Sequence, residues 1–254
     1  MTANGEVALV TGGAKRIGAA IARGLGKAGF TVAIHYRSSA NEAAELANEI
    51  GRDGGKAAIF QADLAEVAAC DALIDEVSAQ LGPVRLLVNN ASAFEPDSPE
   101  APDWTKWDKH FDIHLKAPVA LTSRFAARLP AADDGLVVNV IDQRVWRLNP
   151  NFFTYTLSKS ALWTATRTMA MAFAPKVRVN AIGPGPTLQN ARQDAADFQA
   201  QVSGLPLKRG PSPDEIARAV RFLIETPSIT GQMLALDGGQ HLAWETPDIA
   251  GIPE

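Results

Sequence analysis

Residues 6–29, EVALVTGGAKRIGAAIARGLGKAG, decide the fold of this chain. The apolar run EVALV (6–10) leads straight into a glycine-rich turn, and the turn opens a helix that starts near residue 16. Such a turn lets backbone N–H groups approach an anion closely, and the helix N-terminus adds a favourable dipole. The pattern binds pyrophosphate only in strand–turn–helix context, which is the context here. Gly12 and Gly18 hold glycine positions of the turn, with Ile17 between Arg16 and Gly18. Arg16 stands where a middle glycine is common, and with Lys15 it places two cations beside the turn.

Outward from this unit the same alternation repeats. Apolar or β-branched runs lie at 31–36, 57–61, 84–88, 136–141, 177–182 and 232–236, and helix-like segments at 16–28, 41–52, 67–81, 106–129, 154–174 and 213–224. The runs lack clean alternation, as expected of strands buried on both faces. Strand and helix in turn predict a parallel sheet covered on both sides, and right-handed crossovers make it doubly wound. No linker divides residues 1–254, so a single domain is expected. The irregular segments 92–105 and 183–213 follow predicted strands, where an open parallel sheet binds ligands. Residues 183–213 read as a substrate loop. The tail after Trp244, with Pro247, Gly251 and Pro253, reads as irregular.

Composition narrows the function. The net charge is −4 and no basic block occurs, which argues against nucleic acid or an anionic membrane as partner. No apolar run reaches membrane-spanning length, so a cytoplasmic protein is expected. The single cysteine, Cys70, excludes an internal disulfide and reads as a small apolar filler on a helix. His35, His110, His114 and His241 show no ligand spacing, so no metal is expected.

The second run ends in TVAIHYRSS (31–39), with His35, Tyr36, Arg37, Ser38 and Ser39 and no acid. An acidic residue there would bind a ribose 2′-hydroxyl. Arg37 and Arg16, with the serines, suit a 2′-phosphate instead. The cofactor is therefore read as NADP(H). His35 serves either as a ligand or as a packed strand residue.

Tyr155 and Lys159 in TYTLSKSALW (154–163) lie four residues apart, on one helical face. An ammonium beside a phenol favours the phenolate and lowers its pKa, making Tyr155 a proton donor or acceptor near neutrality. Asp142 closes the run LVVNVI (136–141) thirteen residues upstream.

Together TGGAKRIG (11–18), ADL (62–64), NNAS (89–92), VNVID (138–142), YTLSK (155–159), VRVNAIGPG (177–185) and LDGG (236–239) make the chain resemble the short-chain dehydrogenase/reductase family over nearly its whole length. The resemblance implies a Rossmann-type seven-stranded domain, a nicotinamide cofactor and often a homotetramer. It places Asp63 and Leu64 near the adenine, Asn90, Ala91 and Ser92 beside the cofactor, and Pro184 and Gly185 near the nicotinamide. It gives Tyr155 the proton, and Lys159 the ribose and the tuning of Tyr155. Within the family the chain is most similar to pteridine reductases and dihydromonapterin reductases. TGGAKRIG, HYRSS, Phe94 after NAS, and Asp142 in place of a serine carry that narrower match. It implies a pterin ring stacked on Phe94, with Ser92, Asp142 and Tyr155 at its edge. Trp146 and Phe152 either line the same pocket or simply pack. His114 stands where the family has an asparagine; it either replaces that residue's role or is a satisfied helix histidine. Two other readings stay open: a reductase of a ketone, sugar or acyl thioester, and a non-catalytic NADP(H)-binding sensor.

Overall fold

The computed structural model describes residues 5–189, 192–244 and 250. The expected tail lies, apart from Ala250, outside the described residues. Seven parallel strands form one sheet in the order β3-β2-β1-β4-β5-β6-β7: β1 (Val7–Val10), β2 (Thr31–Tyr36), β3 (Lys56–Gln61), β4 (Val84–Asn89), β5 (Gly135–Val140), β6 (Val177–Pro184) and β7 (Met233–Leu236). The doubly wound prediction holds, and each predicted run lies within two residues of an observed strand. The chain winds outward from β1 to β3, then returns to place β4 on the other side of β1. That reversal opens a crevice at the carboxyl ends of β1 and β4.

Helices cover both faces because both faces are apolar. On one side α1 (Arg16–Lys27), α2 (Ala40–Arg52) and α8 (Pro213–Glu225) bury Ile21, Leu25, Leu46, Ile216 and Leu223 against Val10, Ile34 and Val88. On the other, α3 (Val67–Leu81), α5 (Ala117–Arg128) and α6 (Phe153–Phe173) bury Leu73, Leu121, Phe125 and Met169 against Leu9, Leu87 and Val137. Alternate residues of each strand thus feed opposite cores. Cys70 lies buried on α3, and burial pushes its thiol up to about 11, so it stays an unreactive filler.

Two predicted segments differ in detail. The single helix over 106–129 is α4 (Trp104–Phe111), a π-helical turn (Asp112–Lys116) and α5. Pro118 has no N–H for the His114 carbonyl four residues back, so the regular ladder breaks there. The loop 183–213 contains α7 (Ala195–Ser203), capped by the Asp194 side chain accepting from the Asp197 N–H at 2.7 Å. No α7 residue is fully buried, so its sequence carries no strong apolar stripe.

Candidate active site

A cavity of about 780 Å³ lies over the carboxyl ends of β1, β4, β5 and β6. Of the expected site residues, Gly12, Arg16, Ile17, Gly18, Asn90, Ala91, Ser92, Phe94, Asp142, Tyr155, Lys159, Pro184 and Gly185 line it. A second cavity of about 450 Å³ adjoins it, lined by His35, Tyr36, Arg37, Ser38 and Leu64 and again by Gly12, Ala91, Ser92 and Phe94. Asp63 lines neither; it is exposed, and its side chain accepts from the Ala65 N–H at 3.1 Å.

The glycine turn is shaped from within. Gly12 has φ +57°, and a Cβ on Gly18 would meet the Gly12 carbonyl oxygen at 2.3 Å, so backbone takes the space a side chain would fill. The Asn90 side chain donates to the carbonyls of Thr11 (2.9 Å) and Gly12 (3.0 Å), and the Thr11 hydroxyl accepts from the N–H groups of Asn90 (2.9 Å) and Ala91 (3.0 Å). The ends of β1 and β4 are thereby fixed to each other.

His35 is part of this scaffold as well as of the lining of the second cavity. Its Nδ1 accepts from the Gly12 N–H at 3.0 Å, and its Nε2 lies 3.2 Å from the Ala62 carbonyl. Both nitrogens are used inside the protein, and burial pushes its pKa down to about 4. The structure shows His35 as a packed strand residue that also edges the second cavity.

Arg16 also departs from expectation. Its guanidinium donates to the carbonyls of Gln189 (3.0 Å) and Leu188 (3.1 Å), reaching across to the segment after β6. It lines the larger cavity and not the one that holds Arg37. Its φ of +54° is uncommon for a residue with a side chain. Lys15 is paired with Glu42 at 2.5 Å. Beside Arg37 in the second cavity lie Ser38 and Ser39 at the start of α2, where the Ser39 side chain makes no capping bond to the helix.

At the other end, Tyr155, Lys159 and Asp142 converge. The Tyr155 hydroxyl donates to Asp142 Oδ2 at 2.8 Å. Lys159 Nζ donates to the Val140 carbonyl at 2.8 Å and lies 5.8 Å from the centre of the Tyr155 ring. The expected lowering of the Tyr155 pKa does not occur. Burial, then the charge and the acceptor role of Asp142, hold it well above the usual phenol value, against a smaller opposing effect of Arg144. The lysine yields instead: burial pushes Lys159 down to about 8, although Asp142 favours its charged form. Tyr155 is therefore a phenol with its proton aimed at a carboxylate.

Phe94 stacks on Phe152 at 4.5 Å and 5° and meets Tyr155 edge-on at 4.8 Å. Phe152 lines the cavity, whereas Trp146 lies outside it and packs on Trp163 and His241. Below Tyr155, His114 sits 1 % exposed in the π-helical turn. Its Nε2 accepts from the Ala93 N–H at 3.1 Å and lies 2.9 Å from the Ser92 hydroxyl. Its Nδ1 then carries the proton toward Ser158 Oγ at 2.8 Å, and Ser158 donates to the Tyr155 carbonyl at 2.8 Å. Burial and the Lys159 charge hold it neutral. His114 is a satisfied brace between the loop after β4 and α6.

Arg144 and Arg192 were not expected in the site. Arg144 Nη1 donates to Asp142 Oδ2 at 3.2 Å, and Arg192 donates to the Phe94 carbonyl at 2.9 Å. Their place, Arg144 two residues after Asp142 and Arg192 in the segment after GPGP, is the only sequence signal they carry. Among the described residues no group of three or more His, Cys, Asp or Glu is arranged to hold a metal, and no helix is long and apolar enough to cross a membrane.

The family model described as enoyl-(acyl carrier protein) reductase matches residues 12–241. The chain belongs to the short-chain dehydrogenase/reductase family. It is 58 % identical to the FolM alternative dihydrofolate reductase 1 of Brucella suis, solved in complex with NADP, with a TM-score of 0.94 over 98 % of this chain and 99 % of that one. A blue fluorescent protein from a metagenomic library, solved with NADPH, is 32 % identical with a TM-score of 0.87 over 94 % and 99 %. The 3-oxoacyl-[acyl-carrier-protein] reductase FabG of Staphylococcus epidermidis is 30 % identical, covering 92 % of this chain and 98 % of that protein.

Proposed function

We propose that this member of the family is an NADPH-dependent reductase of a pterin-like heterocycle, taking a dihydropterin to a tetrahydropterin. The observation that carries it is the Asp142–Tyr155 hydrogen bond of 2.8 Å set beside the Phe94 ring. A carboxylate and a phenol side by side match ring nitrogens that donate and accept in turn, a complementarity that an aliphatic ketone cannot use. The aromatic wall suits a flat ring. The likeness to a dihydrofolate reductase solved with NADP supports the same reading.

The cofactor surface fits NADP(H). The Gly12–Gly18 turn and the start of α1 would hold the pyrophosphate, and Arg37, Ser38 and Ser39 the 2′-phosphate. Bound there, the reduced cofactor supplies the hydride. Tyr155 releases its proton to a substrate nitrogen or oxygen, Lys159 steadies the resulting phenolate, and Asp142 orients the hydroxyl and the ring edge. Asn90, Ala91, Pro184 and Gly185 are read as contacts to the ribose and nicotinamide, and Ser92 to a phosphate or the pterin edge. Asp63, which lines neither cavity, is read as a contact to the adenine from beside them. The active form is read as a homotetramer, measurable by light scattering.

The test is NADPH oxidation with dihydrobiopterin, dihydromonapterin and dihydrofolate beside an activated ketone and a 3-oxoacyl thioester. Fast pterin turnover supports the proposal. Turnover of only the ketone or thioester refutes the pterin reading and favours the carbonyl reductase. Binding of NADPH without turnover of any would leave a sensor. NADPH should bind at least about tenfold more tightly than NADH, which corresponds to about 1.4 kcal/mol.

A further inference from the structure

We infer that Arg144 is a positioning residue for the Asp142–Tyr155 proton couple, tying the aromatic wall of the cavity to the carboxylate that aims the proton. The inference rests on the reductase reading. Arg144 lies in the 3-10 turn Gln143–Val145, immediately after Asp142. Its backbone N–H donates to Asp142 Oδ1 at 2.8 Å and its Nη1 to Oδ2 at 3.2 Å, so one residue holds both carboxylate oxygens. Oδ2 is the oxygen that accepts the Tyr155 hydroxyl. The guanidinium carbon lies 5.2 Å from the centre of the Phe94 ring and 5.1 Å from that of Phe152, and the side chain is 17 % exposed. The cation is thus seated between the ring pair and the carboxylate.

Two consequences follow. Rotation of the carboxylate would turn Oδ2 away from Tyr155, and the two donors of Arg144 oppose it. The fixed positive charge of Arg144 opposes the hold of Tyr155 on its proton, which burial and Asp142 strengthen. The other charged or titratable groups facing the couple do different work. Lys159 is bonded to the Val140 carbonyl, Arg192 packs beside Phe94 and Phe152, and His110 and His114 are kept neutral by burial. Among the described residues Arg144 is the cation in ion-pair contact with Asp142.

The experiment compares the full-length wild type with Arg144→Gln and Arg144→Lys, measuring kcat and KM from pH 5.5 to 9 and NADPH affinity by fluorescence. Two electron acceptors are used, 7,8-dihydrobiopterin and 9,10-phenanthrenequinone. Arg144→Gln keeps a planar donor without charge. Its kcat should fall at least about tenfold while NADPH affinity stays within about twofold, because the carboxylate that aims the proton loses its charged anchor. Arg144→Lys should restore much of kcat but keep a raised KM for dihydrobiopterin, since a lysine keeps the charge and is not planar. In an Asp142→Asn background Arg144→Gln should cost little more. A glutamine profile that superimposes on wild type, a lysine variant no better than glutamine, or an undiminished effect in the Asp142→Asn background overturns the inference. If wild type reduces the quinone and not the pterin, the pterin reading fails, and the quinone profiles still decide the role of Arg144.

Discussion

Replacing Lys159 with methionine should abolish turnover and yet stabilise the protein at neutral pH. The side chain is 2 % exposed, and burial pushes its pKa from 10.5 down to about 8. Below pH 8 the amine is charged in both the folded and the unfolded chain, and the folded chain bears the cost of desolvating it. A drop of roughly 2.5 units corresponds to about 3 kcal/mol at pH 7. Methionine fills the same space without that cost. It also removes the donor to the Val140 carbonyl, a loss of about 1–2 kcal/mol. The variant should therefore gain about 1–2 kcal/mol, or very roughly 2–8 °C in Tm for a chain of this size. Between pH 8 and 10.5 the unfolded chain binds more protons than the folded one, so wild-type stability rises with pH and the advantage shrinks. By pH 10 it should have vanished or reversed. Calorimetry or denaturant titration of both proteins at pH 7 and pH 10, at matched protein concentration, measures this. A variant less stable than wild type at pH 7, or a gap unchanged at pH 10, would refute the claim that the site holds an uncomfortable charge.

Two further outcomes follow from the same geometry. Tyr155→Phe keeps the ring against Phe94 and removes the donor to Asp142, so turnover should fall by about two orders of magnitude or more with NADPH affinity little changed, as stopped-flow and fluorescence titration would show. His35, held near pKa 4 against 6.5 when exposed, contributes stability that is complete above pH 6.5 and is lost as the pH falls through 4, about 3 kcal/mol in all; His35→Asn should flatten the acid limb of stability in denaturant melts, and an unchanged limb would contradict the role.

The parts of this protein that follow local rules were legible in its sequence. The strand–turn–helix of 6–29 carries its own signature, because backbone approach to an anion demands glycine at fixed spacing. The Tyr155–Lys159 pair is legible because four residues on a helix is a fixed distance. What escaped was set by partners distant in sequence. Arg16 meets carbonyls more than 170 residues away, and His35 bonds the turn 23 residues before it. Neither distance leaves a pattern in the neighbouring residues. Arg144 was missed for another reason, since an arginine two residues after an aspartate is ordinary until the turn folds it back.

The sign error at Tyr155 has a more general cause. Sequence spacing shows that a cation lies within reach of a phenol, and reach alone predicts a lowered pKa. The outcome depends on which group loses more by leaving water. Here Tyr155 and Lys159 are both buried, and the carboxylate of Asp142 lies closer to the hydroxyl than the ammonium does to the ring. Desolvation disfavours phenolate and ammonium alike, so the pair resists ionising on both sides. A site arranged in this way holds its proton until a substrate replaces Asp142 as the acceptor. The same carboxylate that holds Tyr155 protonated favours the charged form of Lys159, and on the proposed mechanism that charge would steady the phenolate once the proton has gone. On the proposed mechanism, Asp142 explains how a buried phenol with a pKa far from neutrality would still serve as an acid. Its proton would leave only as it and a hydride reach the substrate together, so that no uncompensated charge is left there.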